Sequence, residues 1–93
     1  MVGKKLAWSE IKNEHLKRER GLCFEDIAAA VEQGRIIDDY AHPNALKYPN
    51  QRILAVEIDG YVCLAPYVRD GEVCFLKTVY QSRKAPRLYQ DEI

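Results

Sequence analysis

The chain has 93 residues, of which 47% are hydrophobic and 30% charged, and its formal net charge is zero. This composition is typical of one small folded domain and excludes an intrinsically disordered chain. The neutral charge argues against a general nucleic-acid coat protein. No apolar run approaches the roughly 20 residues that span a bilayer, and no signal-peptide core follows the start. We therefore expect a cytoplasmic protein with no membrane contact and no cofactor.

The three cysteines, Cys23, Cys63 and Cys74, are flanked by apolar residues and form no Cys-x-x-Cys motif. An odd number without metal-ligand spacing predicts buried thiols rather than disulfides. The two histidines add no ligand spacing, so we expect no metal site.

Two helices are predicted in the first third of the chain. The first begins near Ser9, a favourable N-cap residue, and ends at Gly21. Four residues fall near one of its faces: Trp8, Ile11, His15 and Leu16. The second helix begins after Cys23 and ends at Gly34, with an apolar stripe of Phe24, Ile27, Ala28 and Val31. The two helices should form a hairpin with one shared apolar side.

The remainder predicts an antiparallel meander. A short edge strand at residues 35–38 precedes a loop at 41–51 that contains two prolines and two asparagines. Strands over 52–58, 61–69 and 72–80 are joined by the two-residue turns Asp59-Gly60 and Asp70-Gly71. Pro66 lacks a backbone donor, so we expect a bulge or weakened pairing there. Residues 87–93 are expected to form a short final helix or a frayed tail.

These turns fix which residues share a face of the predicted sheet. One face carries no charge, so the helices should pack on it: Leu54, Val56, Ile58, Tyr61, Cys63, Ala65, Leu76 and Thr78. The opposite face carries Ile53, Ala55, Glu57, Val62, Leu64, Phe75, Lys77 and Val79. In this register Tyr80 lies opposite Tyr61. An isolated charge on a half-buried face is costly, so Lys77 should point to Glu57, to solvent or to a ligand.

The fold class that we expect is α+β. Two N-terminal helices pack on an antiparallel meander sheet of about four strands, and a short C-terminal helix follows.

Cationic side chains cluster where the last predicted strand ends. Lys77, Arg83, Lys84 and Arg87 fall within eleven residues, and no acidic residue follows them until Asp91. Because Arg and Lys supply charge-assisted donors to phosphate oxygens, the cluster predicts an anion-binding patch. The alternative interpretation is a solvated basic strand end.

Several short motifs follow one another along the chain: Trp8, Lys12-Asn13, Leu16, Arg20-Gly21, Phe24-Glu25-Asp26, a strand meander, and Ser82-Arg83-Lys84-Ala85 with Tyr89. In this order they resemble the BrnT family of bacterial toxins, which belongs with the RelE/ParE-like toxins of type II toxin–antitoxin systems. The resemblance extends over nearly the whole chain. It implies a single RelE-like domain over residues 1–93 that acts as an endoribonuclease, cleaving messenger RNA and halting translation.

RNA cleavage without a metal needs three groups. A base takes the 2′-hydroxyl proton, cations stabilise the phosphorane, and an acid protonates the leaving 5′-oxygen. The catalytic candidates are Lys77, Arg83, Lys84, Tyr80 and His42. The candidates for RNA binding are Arg87, Tyr89 and Lys47. For His42 the alternative is a turn residue before proline, and for the tyrosines it is simple packing.

The resemblance also implies partners. A cognate antitoxin, typically a ribbon-helix-helix DNA-binding protein, would neutralise the toxin and carry it to operator DNA. RNA would be the substrate, with the ribosome as a second potential partner. We expect an acidic antitoxin segment to cover Lys77, Arg83 and Lys84.

Two alternatives remain open. The same fold can act without catalysis, by poisoning a protein target or as an antitoxin-bound co-repressor. The chain can also be an inactive relative that is kept as a structural partner of its antitoxin.

Overall fold

A computed structural model of the protein describes residues 5–82. Within these residues the chain forms two helices and six strands: β1 (Lys5–Ala7), α1 (Glu10–Arg20), α2 (Phe24–Glu32), β2 (Ile36–Ala41), β3 (Gln51–Ile58), β4 (Tyr61–Asp70), β5 (Val73–Leu76) and β6 (Tyr80–Gln81). The expected α+β class with two N-terminal helices is confirmed. The expected C-terminal helix lies outside the described residues.

Helix α1 begins and ends where its capping residues predict. The Ser9 hydroxyl accepts a hydrogen bond from the Lys12 amide at 3.2 Å. Gly21 has a φ of 66°, in the left-handed region that residues with a Cβ disfavour. Both ends of this helix are therefore specified by local sequence.

The buried face of α1 differs from the predicted one. Ile11 is 77% exposed and His15 is exposed, whereas Asn13 and Leu16 are buried. Trp8, which precedes the helix, does pack beside the core, and its ring lies 5.7 Å from that of Phe24. The helix is thus rotated so that a polar residue, rather than Ile11, faces inward.

Asn13 faces inward because it joins the two helices. Its Oδ1 accepts a hydrogen bond from the Phe24 amide at 2.8 Å, and its Nδ2 donates to Glu25 at 2.7 Å and to Glu10 at 3.5 Å. Phe24 is the first residue of α2, whose N-cap residue Cys23 makes no side-chain cap. Asn13 therefore supplies from α1 the acceptor that α2 lacks locally.

The sheet is mixed, which corrects the predicted four-strand antiparallel meander. Its strand order is β1-β5-β4-β3-β2, and β6 also pairs with β4. β1 runs parallel to β5, and the other pairs are antiparallel. The predicted strand over 72–80 is two strands, β5 and β6. A parallel pair needs a long crossover connection, so no hairpin signal in the sequence indicates β1.

One predicted turn is right and the other is displaced by one residue. Ile58 pairs with Tyr61 across Asp59-Gly60, as expected. Both turn residues have positive φ, 54° and 82°, which suits the twist of a two-residue hairpin. At the second turn Asp70 still pairs with Val73, so the loop residues are 71 and 72.

The helices pack on the predicted face of the sheet, which we call the first face. Its core joins both helices to β3, β4 and β5: Leu16, Phe24, Ile27, Ala30, Leu54, Val56, Cys63, Ala65, Tyr67, Cys74, Leu76 and Val79. On the opposite, second face, Ile53, Ala55 and Val62 are each only 4% exposed. The centre of the second face is therefore buried as well.

Two of the three cysteines are buried thiols, as predicted. Cys63 and Cys74 lie in the core, and Cys23 is partly buried at the start of α2. Neither helix in the described part of the chain has the length and apolar character to cross a membrane.

We expect Asn13→Ala to lower the free energy of unfolding by about 1–3 kcal/mol, because the buried Phe24 amide loses its acceptor. Urea denaturation should show a lower midpoint with an unchanged slope. Lys12→Ala, at the exposed neighbouring position, should stay within about 0.5 kcal/mol of the parent. Equal stability of parent and Asn13→Ala would contradict the bridging role.

Candidate nucleic-acid interface

The candidate site lies where a proline interrupts the pairing of a central strand. β4 pairs with β5 through residues 67–70 and with β6 through residues 63–64, and residues 77–79 lie between. The Pro66 carbonyl accepts a hydrogen bond from the Lys77 amide at 2.8 Å. Because both polar groups of a strand residue point to the same side, the missing Pro66 N–H faces this gap. Pairing with β3 continues unbroken at Ile53, so the expected weakening is confirmed on one side.

The gap contains a β-bulge. On β4, Tyr67 and Leu64 are three residues apart, whereas their partners Leu76 and Tyr80 are four residues apart. One strand thus carries an extra residue, which shifts the alternation of side chains beyond it. As a result Val79 is fully buried in the core of the first face.

The bulge also moves Tyr80 to the second face. Its partner Leu64 lies between two core residues of the first face, so both Leu64 and Tyr80 point the other way. The predicted pairing of Tyr80 with Tyr61, and the placement of Val79 on the second face, are therefore wrong. Both assumed an unbroken strand over 72–80.

Lys77 lies on the second face beside an exposed aromatic ring. Its Nζ is 5.4 Å from the ring centroid of Phe75, which is 38% exposed. Glu57 forms no ion pair with Lys77; its carboxylate accepts a hydrogen bond from the Gly60 amide at 2.8 Å instead. No carboxylate within residues 5–82 forms an ion pair with Lys77. Of the three environments predicted for the Lys77 side chain, two therefore remain: solvent and a ligand.

Phe75 and Lys77 lie side by side on the second face, and Tyr80 lies farther along the same face; we call these three residues the aromatic–lysine patch. Aromatic rings on a sheet surface can stack on unpaired bases, at about 1–3 kcal/mol per base. An ammonium group among them can bind the connecting phosphate. The patch therefore has the chemistry to hold a single nucleic-acid strand.

The histidine candidate, His42, belongs to a structured loop. His42 Nδ1 accepts a hydrogen bond from the Asn44 amide at 3.0 Å, and its ring lies 4.6 Å from that of Tyr48. The Lys47 Nζ lies 5.3 Å from the Tyr48 ring centroid. One nitrogen of His42 thus holds the turn before Tyr48, which leaves Nε2 for any proton transfer.

The structure does not bring His42 and Lys77 together. Strands β3 and β4 separate β2, which leads into His42, from the segment that carries Lys77. Three strand spacings put these backbones about 14 Å apart. Lys47 lies on the same loop as His42. Arg83, Lys84, Arg87 and Tyr89 lie outside the described residues and stay predictions.

A partly buried polar cluster that the sequence analysis did not predict lies on the first face. The Tyr67 hydroxyl donates to the Asp39 carboxylate at 2.8 Å. Arg52 donates to the same carboxylate through Nε and to the Asp39 carbonyl through Nη2, both at 3.0 Å. Three adjacent strands, β2, β3 and β4, contribute one residue each. The cluster therefore fixes their register beside the loop that carries His42.

The cluster shifts the pKa of all three of its members, and the hydrogen bond to Asp39 raises that of Arg52. Burial, followed by the hydrogen bond to Asp39, raises the pKa of Tyr67 to about 12. Burial alone would raise the pKa of the Asp39 carboxyl, but hydrogen bonds from Tyr67 and Arg52 outweigh it and hold that pKa below its usual value. Asp39 is thus an ionised acceptor, and Tyr67 a neutral donor, at physiological pH.

Among residues 5–82, no three His, Cys, Asp or Glu side chains are grouped so that they could hold a metal ion. Comparison of the chain with protein-family models, with curated proteins and with solved structures gave no match.

We expect Tyr67→Phe to lower the free energy of unfolding at pH 7 by about 1–2 kcal/mol, because the nearly buried Asp39 carboxylate loses a donor. The pKa of Tyr67 is raised by folding, so its contribution is complete below pH 10 and is lost as the pH rises toward 12. Urea denaturation at pH 7, 9 and 11 should therefore show the parent–variant difference shrinking only at pH 11.

Tyr48→Phe is the matched control, because its hydroxyl forms no hydrogen bond within residues 5–82. Its stability at pH 7 should stay within about 0.5 kcal/mol of the parent. A Tyr67→Phe difference that is the same at pH 9 and pH 11 would show that this hydroxyl does not titrate as described.

Proposed function

We propose that this protein is the toxin of a type II toxin–antitoxin system, a metal-independent endoribonuclease that cleaves messenger RNA and inhibits translation. The observation that carries the proposal is the aromatic–lysine patch. Lys77 lies beside Phe75 without a carboxylate partner in the described residues, and the bulge turns Tyr80 to the same face. The Arg83-Lys84 pair follows Tyr80 closely in the sequence. The motif order that resembles BrnT toxins adds to this support.

In this proposal the 2′-oxygen of the RNA attacks the adjacent phosphorus, and the bond to the 5′-oxygen breaks. Lys77, with Arg83 and Lys84, stabilises the negative charge that builds up on the phosphorane. Phe75 stacks on a neighbouring base. Tyr80, on the same face as Lys77, supplies the hydroxyl that donates a proton to the leaving oxygen. The 2′-hydroxyl proton goes to a base, and the described residues bring none beside Lys77, because strands β3 and β4 separate the candidate His42 from it.

A second candidate function is a non-catalytic toxin that poisons a protein target. Two observations favour it. Strands β3 and β4 lie between the strand that leads into His42 and the segment that carries Lys77, which separates these backbones by about 14 Å, and one ring nitrogen of His42 holds its own loop. The neutral net charge also weakens general attraction to RNA. In this case the patch would bind a protein rather than a nucleic acid.

The proposal includes an antitoxin with an acidic segment that covers the patch. Lys77→Glu and Arg83→Glu should each weaken antitoxin affinity, because a like charge would then face the acidic segment. Binding should be measured by titration calorimetry at low and high salt. Lys12→Glu, on the exposed side of α1, is the control. Antitoxin affinity that is unchanged by both patch variants would place the antitoxin elsewhere.

We expect purified, antitoxin-free protein to cleave a single-stranded RNA in EDTA, and Lys77→Ala to reduce the rate about 100-fold, as loss of one charge-stabilising donor does. The combined Arg83→Ala/Lys84→Ala variant should lose activity as well. Lys12→Ala removes an exposed cation far from the patch in the sequence and should cleave like the parent. Rates come from gel analysis of an end-labelled RNA.

The outcomes separate the two functions. Cleavage by the parent that is lost at Lys77 supports the ribonuclease. Growth arrest on expression with intact RNA, with and without ribosomes, supports the protein-poisoning function instead. A chain that neither arrests growth nor cleaves RNA is an inactive relative and contradicts both.

A further inference from the structure

The last residue of α1 contacts the bulge from the first face of the sheet. Arg20 Nη1 donates a hydrogen bond to the Val79 carbonyl at 2.8 Å and lies 3.4 Å from the Thr78 hydroxyl. These contacts join residues that are 59 and 58 positions apart in the chain. They connect the end of a helix to the one irregular segment within the β4–β5–β6 pairing.

The Val79 carbonyl needs a donor of this kind. Residues 77–79 belong to no strand, and no backbone amide in the described part of the chain donates to Val79. A carbonyl next to a fully buried side chain is costly to leave without a hydrogen bond. A guanidinium donor supplies a charge-assisted bond, which is stronger than one between neutral groups.

The position of Arg20 is itself fixed by local sequence. Gly21 ends α1 directly after Arg20, so the helix stops where this side chain can reach the sheet. Arg18, one of the other cations in the last turn, forms no hydrogen bond or ion pair within residues 5–82. The contact is therefore specific to Arg20 and is not a general property of a basic helix end.

We propose that Arg20 is a positioning residue for the aromatic–lysine patch. By holding the Val79 carbonyl, it keeps the extra residue in the bulge, with Val79 turned into the core and Lys77 and Tyr80 on the second face. Arg20 itself lies on the side of the first face and does not contact the ligand. The effect of Arg20 on RNA binding rests on the proposed function, but its hydrogen bond to the bulge can be tested without RNA.

The test compares Arg20→Met, Arg20→Lys and the control Arg18→Met. The first readout is NMR hydrogen exchange of the Lys77 and Ser82 amides, which donate to Pro66 and Val62 on either side of the bulge. In Arg20→Met we expect both amides to exchange about tenfold faster, corresponding to the loss of one charge-assisted hydrogen bond. Arg20→Lys keeps one donor and should restore most of the protection, and Arg18→Met should match the parent.

The second readout is affinity for a single-stranded 2′-O-methyl RNA, which cannot be cleaved by attack of the 2′-oxygen. Arg20→Met should weaken binding about tenfold, and adding Lys77→Met should weaken it little further, because both changes disable the same patch. Fully additive losses would make Arg20 an independent phosphate contact and overturn the positioning role. Unchanged exchange at Lys77 and Ser82 would overturn it as well.

The two readouts separate this inference from the function on which it rests. If the parent fails to bind RNA but Arg20→Met still accelerates hydrogen exchange at the bulge, the RNA function is wrong and the positioning role of Arg20 is right. If the parent binds RNA and Arg20→Met leaves hydrogen exchange at the bulge unchanged, the RNA function is right and the positioning role of Arg20 is wrong.

Discussion

The absent amide hydrogen of Pro66 is the constraint on which the candidate site depends. A proline in a central strand leaves one ladder position without a donor, so the neighbouring strand cannot pair continuously. The chain accommodates this with one extra residue between β5 and β6. That insertion sends Val79 into the core and turns Tyr80 to the face that carries Lys77 and Phe75. A backbone defect thus determines which side chains can act together.

Local signals predicted much of the fold. Ser9 and Gly21 set the ends of α1, Asp59-Gly60 set one hairpin, and the charge-free face of the sheet received the helices. The predictions were wrong where the structure depends on pairing between strands that the local sequence does not specify. β1 is three residues long and pairs in parallel with a strand from the other end of the chain. The second turn is displaced to residues 71–72 because the β4–β5 pairing extends to Asp70.

Only part of the candidate site could be predicted from the sequence. The cation at Lys77 and the disruption at Pro66 could be predicted, since each depends on the chemistry of one residue. The number of residues in the bulge could not be predicted, and this number decides on which face of the sheet Tyr80 lies. The contacts of Asn13, and those between Asp39, Arg52 and Tyr67, were missed because they join separate elements. The loop between β2 and β3 is long, so the sequence does not fix the register in which these two strands pair. No sequence pattern therefore predicted that Asp39 and Arg52 meet.

The most direct test of this account is to find where RNA touches the protein. A 2′-O-methyl RNA carrying 4-thiouridine would be cross-linked by ultraviolet light to the purified chain, and the modified residues located by mass spectrometry. We expect cross-links at Phe75 or Tyr80, which decrease when Lys77 is replaced by alanine. Cross-links confined to Tyr48 on the 42–50 loop or to Trp8, or no cross-link at all, would contradict the proposal that the bulge assembles a nucleic-acid site.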